Sequence, residues 1–117
     1  IISSSCNILP NINPDLIILD GPDQKLIKGK CNNINFKDIS FTPIQNDILK
    51  IEAFLLPGTI ILIDGRTNNA HYLRKKLYRN WSYRHIKLLD QHIFELKDPS
   101  IGSYNKRVLN FYKSKKY

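Results

Sequence analysis

The stretch that decides the predicted fold is Thr59-Ile60-Ile61-Leu62-Ile63-Asp64-Gly65-Arg66. Its first five residues are β-branched or apolar and have no polar alternate, and the chain then reaches an acid, a glycine and an arginine. Such a run is typical of a strand that is buried on both faces of a parallel sheet and ends at a polar edge. The segment Leu16-Ile17-Ile18-Leu19-Asp20-Gly21 has the same order. The sequence therefore predicts two buried parallel strands, which bring Asp20 and Asp64 to one edge of the sheet.

Two helices are predicted between and after these strands. The first is predicted to begin at Thr42-Pro43-Ile44-Gln45, which has the residues of a capping box with proline at the first helical position, and to end before Pro57-Gly58. Its apolar stripe comprises Ile44, Ile48, Ile51 and Leu55. The second is predicted from a cap at Thr67 or Asn68 to about Asn80, with a stripe of Ala70, Leu73, Leu77 and Trp81.

The C-terminal part of the chain predicts an antiparallel hairpin. Two short strands over residues 83–88 and 91–96 are joined by a turn at Leu89-Asp90. Residues 98–117 are a basic tail, in which a short helix from Tyr104 is predicted. This order of strands and helices predicts an α/β fold with flanking helices. Because two parallel strands do not complete such a sheet, its other strands are expected before Ile1.

Length and composition are those of a single domain. The chain has 117 residues, contains no methionine and opens on Ile1-Ile2, so we expect residues 1–117 to be one partial domain of a longer protein. No apolar run reaches the ~20 residues that span a bilayer, and no secretion signal opens the sequence. A cytoplasmic location without membrane insertion is therefore expected. Cys6 and Cys31 lack metal-site spacing, and two separate reduced thiols are expected.

The net charge of +8 raises the possibility of a polyanionic partner. Residues 65–89 carry seven basic side chains and no acid. One interpretation is a basic module that binds RNA or another polyanion through Arg74, Lys75, Arg79, Arg84 and the tail. The other is a solvated surface in a chain that is generally rich in isoleucine, asparagine and lysine.

The order of these motifs resembles the C-terminal half of a class I, Rossmann-like, S-adenosylmethionine-dependent methyltransferase. In that family the fourth strand ends in an acidic or proline-containing motif beside the methyl donor, and here Asp20-Gly21-Pro22-Asp23 matches it. Leu55-Leu56-Pro57-Gly58-Thr59 matches the turn into the fifth strand, and residues 60–64 match that strand. Residues 83–96 match the antiparallel sixth and seventh strands. The sequence resembles in particular small uncharacterised bacterial methyltransferase-like proteins, some of which accompany surface-polysaccharide genes.

The resemblance implies methyl transfer to a small-molecule or saccharide acceptor, with S-adenosylmethionine as cofactor and with Asp20, Gly21 and Pro22 beside it. The family's glycine-rich loop and the acid that holds the donor ribose have no counterpart in these 117 residues. The resemblance therefore concerns the later half of the fold. A metal-dependent sugar-nucleotide transferase is a further alternative.

Three roles remain open for the paired aspartates. Asp20, beside Asp64, can act as a general base that removes a proton from a substrate hydroxyl or amine. With Asn68 they can hold a divalent cation such as Mg²⁺, which prefers oxygen ligands. Alternatively, both can cap helices or bind turn amides. The first role makes Asp20 and Asp64 the candidate catalytic residues.

Other polar residues near these strand ends are candidates for substrate binding. Asp23 and Asn68 can contact the substrate, and Arg66 can bind a carboxylate or phosphate in bidentate fashion or pair with a neighbouring aspartate. Residues 24–40 predict a long loop over the site or a simple surface excursion. His71, His85 and His92 are too scattered in the sequence to predict a metal triad, so packing or surface positions are expected for them.

Overall fold

The computed structural model describes residues 3–4, 12–20 and 44–114. These residues form a small α/β fold with a four-stranded mixed sheet and a separate two-stranded pair. The strands are β1 (Ser3–Ser4), β2 (Leu16–Leu19), β3 (Ile44–Gln45), β4 (Ile60–Asp64), β5 (Trp81–Ile86) and β6 (Gln91–Leu96). The helices are α1 (Asp47–Ile51), followed by a 3₁₀ turn at Glu52–Phe54, then α2 (Thr67–Lys76) and α3 (Gly102–Ser114).

The four-stranded sheet has the order β2-β4-β6-β5. Strands β2 and β4 are parallel, with Leu16 opposite Ile60 and Leu19 opposite Ile63. Strand β6 runs antiparallel to both β4 and β5. The predicted parallel pair and the predicted hairpin are both confirmed. Because β6 rather than β5 lies beside β4, the hairpin turn lies at the carboxyl edge of β4, where Asp64 faces Gln91.

Helix α2 covers one face of this sheet. Ala70 and Leu73 of the helix are fully buried in one cluster with Ile61, Ile63 and Phe94. Alternate residues of a strand point to opposite faces, and on the other face of β2 Leu16 is 53% and Ile18 61% exposed. The prediction that this strand is buried on both faces is therefore wrong, because the core cluster under α2 lies against the face that carries Ile17 and Leu19, and Leu16 and Ile18 point away from it.

The first helix begins later than predicted. Ile44 and Gln45 are in β3, which pairs in parallel with Ser3–Ser4, so α1 starts only at Asp47. Pairing with β1 uses the backbone of Ile44, which the apolar stripe assigned to the helix, and of Gln45, which was predicted to complete the capping box. Thr42 and Pro43, the predicted helix start, lie outside the described residues.

The second helix ends earlier than predicted. It stops at Lys76 because Leu77 takes an extended backbone conformation with ψ of 127°. Trp81, which was predicted on the helix stripe, opens β5 instead. The basic tail contains α3, which begins at Gly102 rather than at Tyr104. Within residues 3–4, 12–20 and 44–114, no helix is both long enough and apolar enough to cross a membrane.

A buried polar network, here called the Glu52 network, joins Glu52, Arg79, Trp81 and Asp98 at the amino end of β5. Glu52 is fully buried, and its Oε2 accepts hydrogen bonds from the backbone N–H groups of Tyr78 and Arg79 and from Trp81 Nε1 at 2.8–3.0 Å. Arg79 donates from Nε to Asp98 at 2.8 Å and from Nη1 to the carbonyl of Glu52 at 2.7 Å. The network fixes the chain between α2 and β5.

The turn before β4 is tightly packed. Gly58 has φ of +95°, and a Cβ added there would lie 2.5 Å from Leu109 Cδ2 of α3. Asn105 of α3 donates from Nδ2 to the carbonyl of Pro57 at 3.1 Å. The Pro-Gly turn predicted from the sequence is therefore also the docking point of the C-terminal helix.

Candidate functional site

The carboxyl edge of the parallel pair holds the two aspartates singled out by the sequence. Asp20 directly follows Leu19, which is opposite Ile63, and Asp64 directly follows Ile63. The parallel register therefore brings these two positions opposite one another, and both residues are exposed. The predicted common edge is observed, and the catalytic role of the two acids stays a prediction.

The other residues predicted for this edge are partly described. Arg66 immediately precedes α2 and is half-buried, and Asn68 lies exposed in the first turn of that helix. Both follow the end of β4, as predicted. Gly21, Pro22 and Asp23, together with the loop over residues 24–40, lie outside the described residues.

The hairpin turn contacts the loop that follows β4. The backbone N–H of Gly65 donates to the carbonyl of Asp90 at 2.8 Å. Gly65 has φ of +70°, and Asp90 has φ of +48°, a conformation that aspartate adopts more readily than most residues. The turn thereby carries the Asp90 carboxylate to the edge where Asp64 lies.

His92 is the most buried polar side chain near this edge, with no exposed surface. Its Nδ1 lies 2.8 Å from the Tyr83 hydroxyl, and its Nε2 lies 3.2 Å from Thr67 Oγ1. A neutral imidazole donates from one nitrogen and accepts at the other. The direction of the hydrogen bond to Tyr83 is therefore linked to the direction of the hydrogen bond to Thr67.

His85 and Asp90 complete what we call the histidine cluster, comprising His85, Asp90 and His92. The rings of His85 and His92 stack with centroids 4.1 Å apart and an interplanar angle of 6°. Asp90 Oδ1 lies 3.2 Å from His85 Nε2 and 4.0 Å from His92 Nε2. Among the residues that the structure describes, this is the one group of three His, Cys, Asp or Glu side chains with the spacing of metal ligands.

The three histidines, which are far apart in the sequence, lie close together in the structure. Strand register pairs His85 with His92, and α2 places the His71 ring 6.3 Å from the His92 ring in an edge-on arrangement. The sequence predicted the hairpin with its turn at Leu89-Asp90, a register in which His92 faces Lys87. The observed turn lies nearer the chain start, over residues 87–90, and this shift brings the two histidines into direct opposition.

The surroundings of His92 favour its neutral form. Burial lowers the pKa of His92 below its ordinary value of 6.5, and the neighbouring His85 and His71 lower it further, while Asp90 acts in the opposite direction. Loss of hydration disfavours the charged ring. A neutral ring keeps a nitrogen lone pair, which can accept a proton or coordinate a metal ion.

The basic residues considered for polyanion binding fall into two groups. Arg79 belongs to the Glu52 network, and Arg74 places its guanidinium 4.5 Å from the ring centroid of Tyr83. Lys75, Arg84, Lys106 and Arg107 are exposed. Arg79 is therefore a structural residue, and the structure removes it from the predicted polyanion surface.

Comparisons of this chain with protein-family models, with curated proteins and with solved structures gave no match.

Proposed function

We propose that this chain forms the acceptor side of a Rossmann-like, S-adenosylmethionine-dependent methyltransferase domain. The observation that carries the proposal is the register of β2 and β4, which puts Asp20 and Asp64 opposite one another at the carboxyl edge of a parallel pair. Ligands of open α/β sheets bind at this edge. The antiparallel β5 and β6 that close the sheet also agree with the order of strands in that family.

The chemistry of methyl transfer suits exposed carboxylates at this edge. As a hydroxyl or amine acceptor attacks the methyl group, its proton has to pass to a base, and Asp64 or Asp20 can take it. Arg66 and Asn68, which follow β4, are the candidates for orienting a small-molecule or saccharide acceptor. Asp20 is also the candidate contact to the donor.

In this proposal the residues at the carboxyl edge serve the acceptor side of the reaction, and they do not include the glycine-rich loop. The 117 residues contain no Gly-x-Gly sequence, so the glycine-rich loop that holds the donor has to come from another segment of the protein. The proposal therefore concerns the protein expressed from its complete reading frame.

Calorimetric titration of that protein with S-adenosylhomocysteine tests the proposal. We expect saturable binding by the wild type, and a loss of roughly tenfold or more in Asp20→Asn, because hydrogen bonds to a charged group contribute about 1.5–3 kcal/mol. Asp15→Asn is the matched control. Asp15 is exposed and precedes the opposite end of the same strand. The Asp15→Asn variant should therefore bind S-adenosylhomocysteine with the affinity of the wild type.

Two outcomes would count against the assignment. A complete protein that does not bind S-adenosylhomocysteine would overturn the methyltransferase proposal. Equal affinities for Asp20→Asn and Asp15→Asn would remove Asp20 from the donor site.

A further inference from the structure

The three donor atoms of the histidine cluster have nearly the spacing of a first coordination shell. One ligand atom from each of His85, Asp90 and His92 lies within 4.8 Å of the other two, and Asp90 Oδ1 lies 3.2 Å from His85 Nε2 and 4.0 Å from His92 Nε2. In a tetrahedral zinc site with metal–ligand distances of about 2.0–2.2 Å, neighbouring donors lie roughly 3.4 Å apart. The His85–Asp90 pair at 3.2 Å already has this spacing. The other two pairs reach it by closing about 1.5 Å or less.

One ring has to rotate for both imidazoles to reach a single ion. The lone pair of a ring nitrogen lies in the plane of its ring, and the two rings are stacked nearly parallel. His92 is fully buried and held at both nitrogens, whereas the His85 side chain is 30% exposed. His85 is therefore the ring that can turn toward an ion held by His92 and Asp90.

The surroundings of His92 are those of an oriented ligand. When Nε2 coordinates a metal ion, Nδ1 carries the proton and donates to the Tyr83 hydroxyl, with which it already lies at hydrogen-bond distance. Metal-binding histidines nearly always donate their second N–H in this way, which fixes the ring and its tautomer. Arg74 lies over the Tyr83 ring, so the supporting tyrosine is itself held in place.

We propose that His85, Asp90 and His92 bind one divalent transition-metal ion of the zinc, cobalt or nickel type at the carboxyl edge of the sheet. Two imidazoles favour these ions over Mg²⁺ and Ca²⁺, which prefer oxygen ligands. Three protein ligands leave a coordination position open, and the Asp90 side chain is 58% exposed, so water reaches the site. The site differs from the Asp20–Asp64–Asn68 cation site predicted from the sequence, and it does not depend on the proposed methyltransferase function.

The test is a titration of the chelator-treated protein with Zn²⁺ by calorimetry and with Co²⁺ by visible absorption. Cys6 and Cys31 are strong potential zinc ligands, so the measurements are made in a Cys6→Ser/Cys31→Ser background. We expect one ion per chain, a tetrahedral Co²⁺ spectrum and a higher thermal unfolding temperature with Zn²⁺, because binding to the folded state stabilises it.

Variants at the two accessible ligands separate a built site from scattered binding. We expect His85→Gln and Asp90→Asn each to lower the Zn²⁺ affinity about a hundredfold, and Tyr83→Phe about tenfold, because supporting residues typically contribute factors of this size. Asn tolerates the positive φ at position 90, so Asp90→Asn keeps the turn. His71→Gln, which changes an exposed histidine outside the group, should bind like the background protein.

Two kinds of result would overturn this proposal. Absence of one-to-one Zn²⁺ binding, or equal affinities for His85→Gln, Asp90→Asn and the background protein, would overturn the site. A loss in His71→Gln as large as that in His85→Gln would overturn the assigned ligand set. The S-adenosylhomocysteine titration contains no metal ion, so a failure of either proposal is recognised separately.

Discussion

The two ends of the β5–β6 hairpin both bury polar side chains, but they do so in different ways. At the amino end of β5, Oε2 of Glu52 accepts three N–H donors, two of them from the backbone. At the other end, His92 faces two hydroxyl groups that can each donate or accept, and it stacks on His85, which is partly exposed.

The two regions therefore differ in how freely their side chains can rearrange. Backbone donors have a fixed direction, so the Glu52 network has one hydrogen-bonding arrangement, which holds β5 and the chain that precedes it. The histidine cluster has two hydrogen-bonding arrangements and a ring that can rotate, and its carboxylate is exposed to solvent. We infer that the first region stabilises the fold and that the second is available for ligands.

The largest expected effect is at Glu52. In Glu52→Ala three partly buried N–H donors lose their acceptor, and we expect the free energy of unfolding to fall by about 4 kcal/mol, since polar groups left unpaired on burial each cost about 1–3 kcal/mol. Glu52→Gln keeps an acceptor oxygen and should lose roughly half as much. Urea denaturation measures both changes.

The chain provides its own control for this prediction. Glu95 lies partly exposed in β6 and forms an ion pair with Lys97, so Glu95→Ala should change stability by about 0.5 kcal/mol or less. Similar losses in Glu52→Ala and Glu95→Ala would show that the Glu52 network does not support the fold.

The next largest effect compares two glycines with positive φ, one at each end of β4. Gly58→Ala would force a methyl group to within 2.5 Å of Leu109, whereas at Gly65 the nearest atom to an added Cβ, Asp90 Oδ2, is 3.7 Å away. Backbone strain should cost about 1 kcal/mol at either position. Overpacking should add about 2 kcal/mol only at Gly58, as measured by denaturation.

A double-mutant cycle isolates the packing contribution. Leu109→Ala removes the side chain that the new methyl group would displace, so Gly58→Ala should cost only about 1 kcal/mol in the Leu109→Ala background. An unchanged cost in that background would mean that backbone strain alone explains the effect.

The smallest effect is expected at Tyr83. Tyr83→Phe removes the hydroxyl that pairs with His92 Nδ1 and leaves the aromatic ring, so metal-free protein should lose about 1 kcal/mol of stability. Tyr78→Phe is the matched control, because the Tyr78 side chain is 68% exposed, and its stability should not change. If Tyr83→Phe lowered the free energy of unfolding by more than about 3 kcal/mol, this end of the hairpin would be held as strongly as the end with the Glu52 network.

Much of the sheet was predictable because its signals are local. The bounds of β4 follow from an apolar run that ends in Asp-Gly, and the matching run at residues 16–19 predicted its parallel partner. Helix bounds were less predictable. Pairing of Ile44–Gln45 with β1 overrode the helical spacing of Ile44 and the predicted capping box, and an extended backbone at Leu77 ended α2 before its stripe was complete.

The residues of the candidate site also differ in how far the sequence predicted them. Asp20 and Asp64 were found from the sequence because each directly follows a recognisable strand. The histidine cluster was missed because its members come from a strand and a turn whose register depends on where the hairpin reverses. His85 and His92 lie on either side of the predicted turn. Because the first strand of the hairpin was predicted to end too late in the chain, the pairing of these two histidines was not recognised.

By itself, the sequence determined the α/β order, the two parallel strands, the closing hairpin and the edge at which Asp20 and Asp64 lie, because these depend on short-range patterns of apolar and polar residues. Only the tertiary structure decided that β6 lies beside β4, that Glu52 and Arg79 are internal supports, and that His85, Asp90 and His92 meet. Those arrangements depend on register and on contacts between segments distant in sequence, which no local pattern encodes.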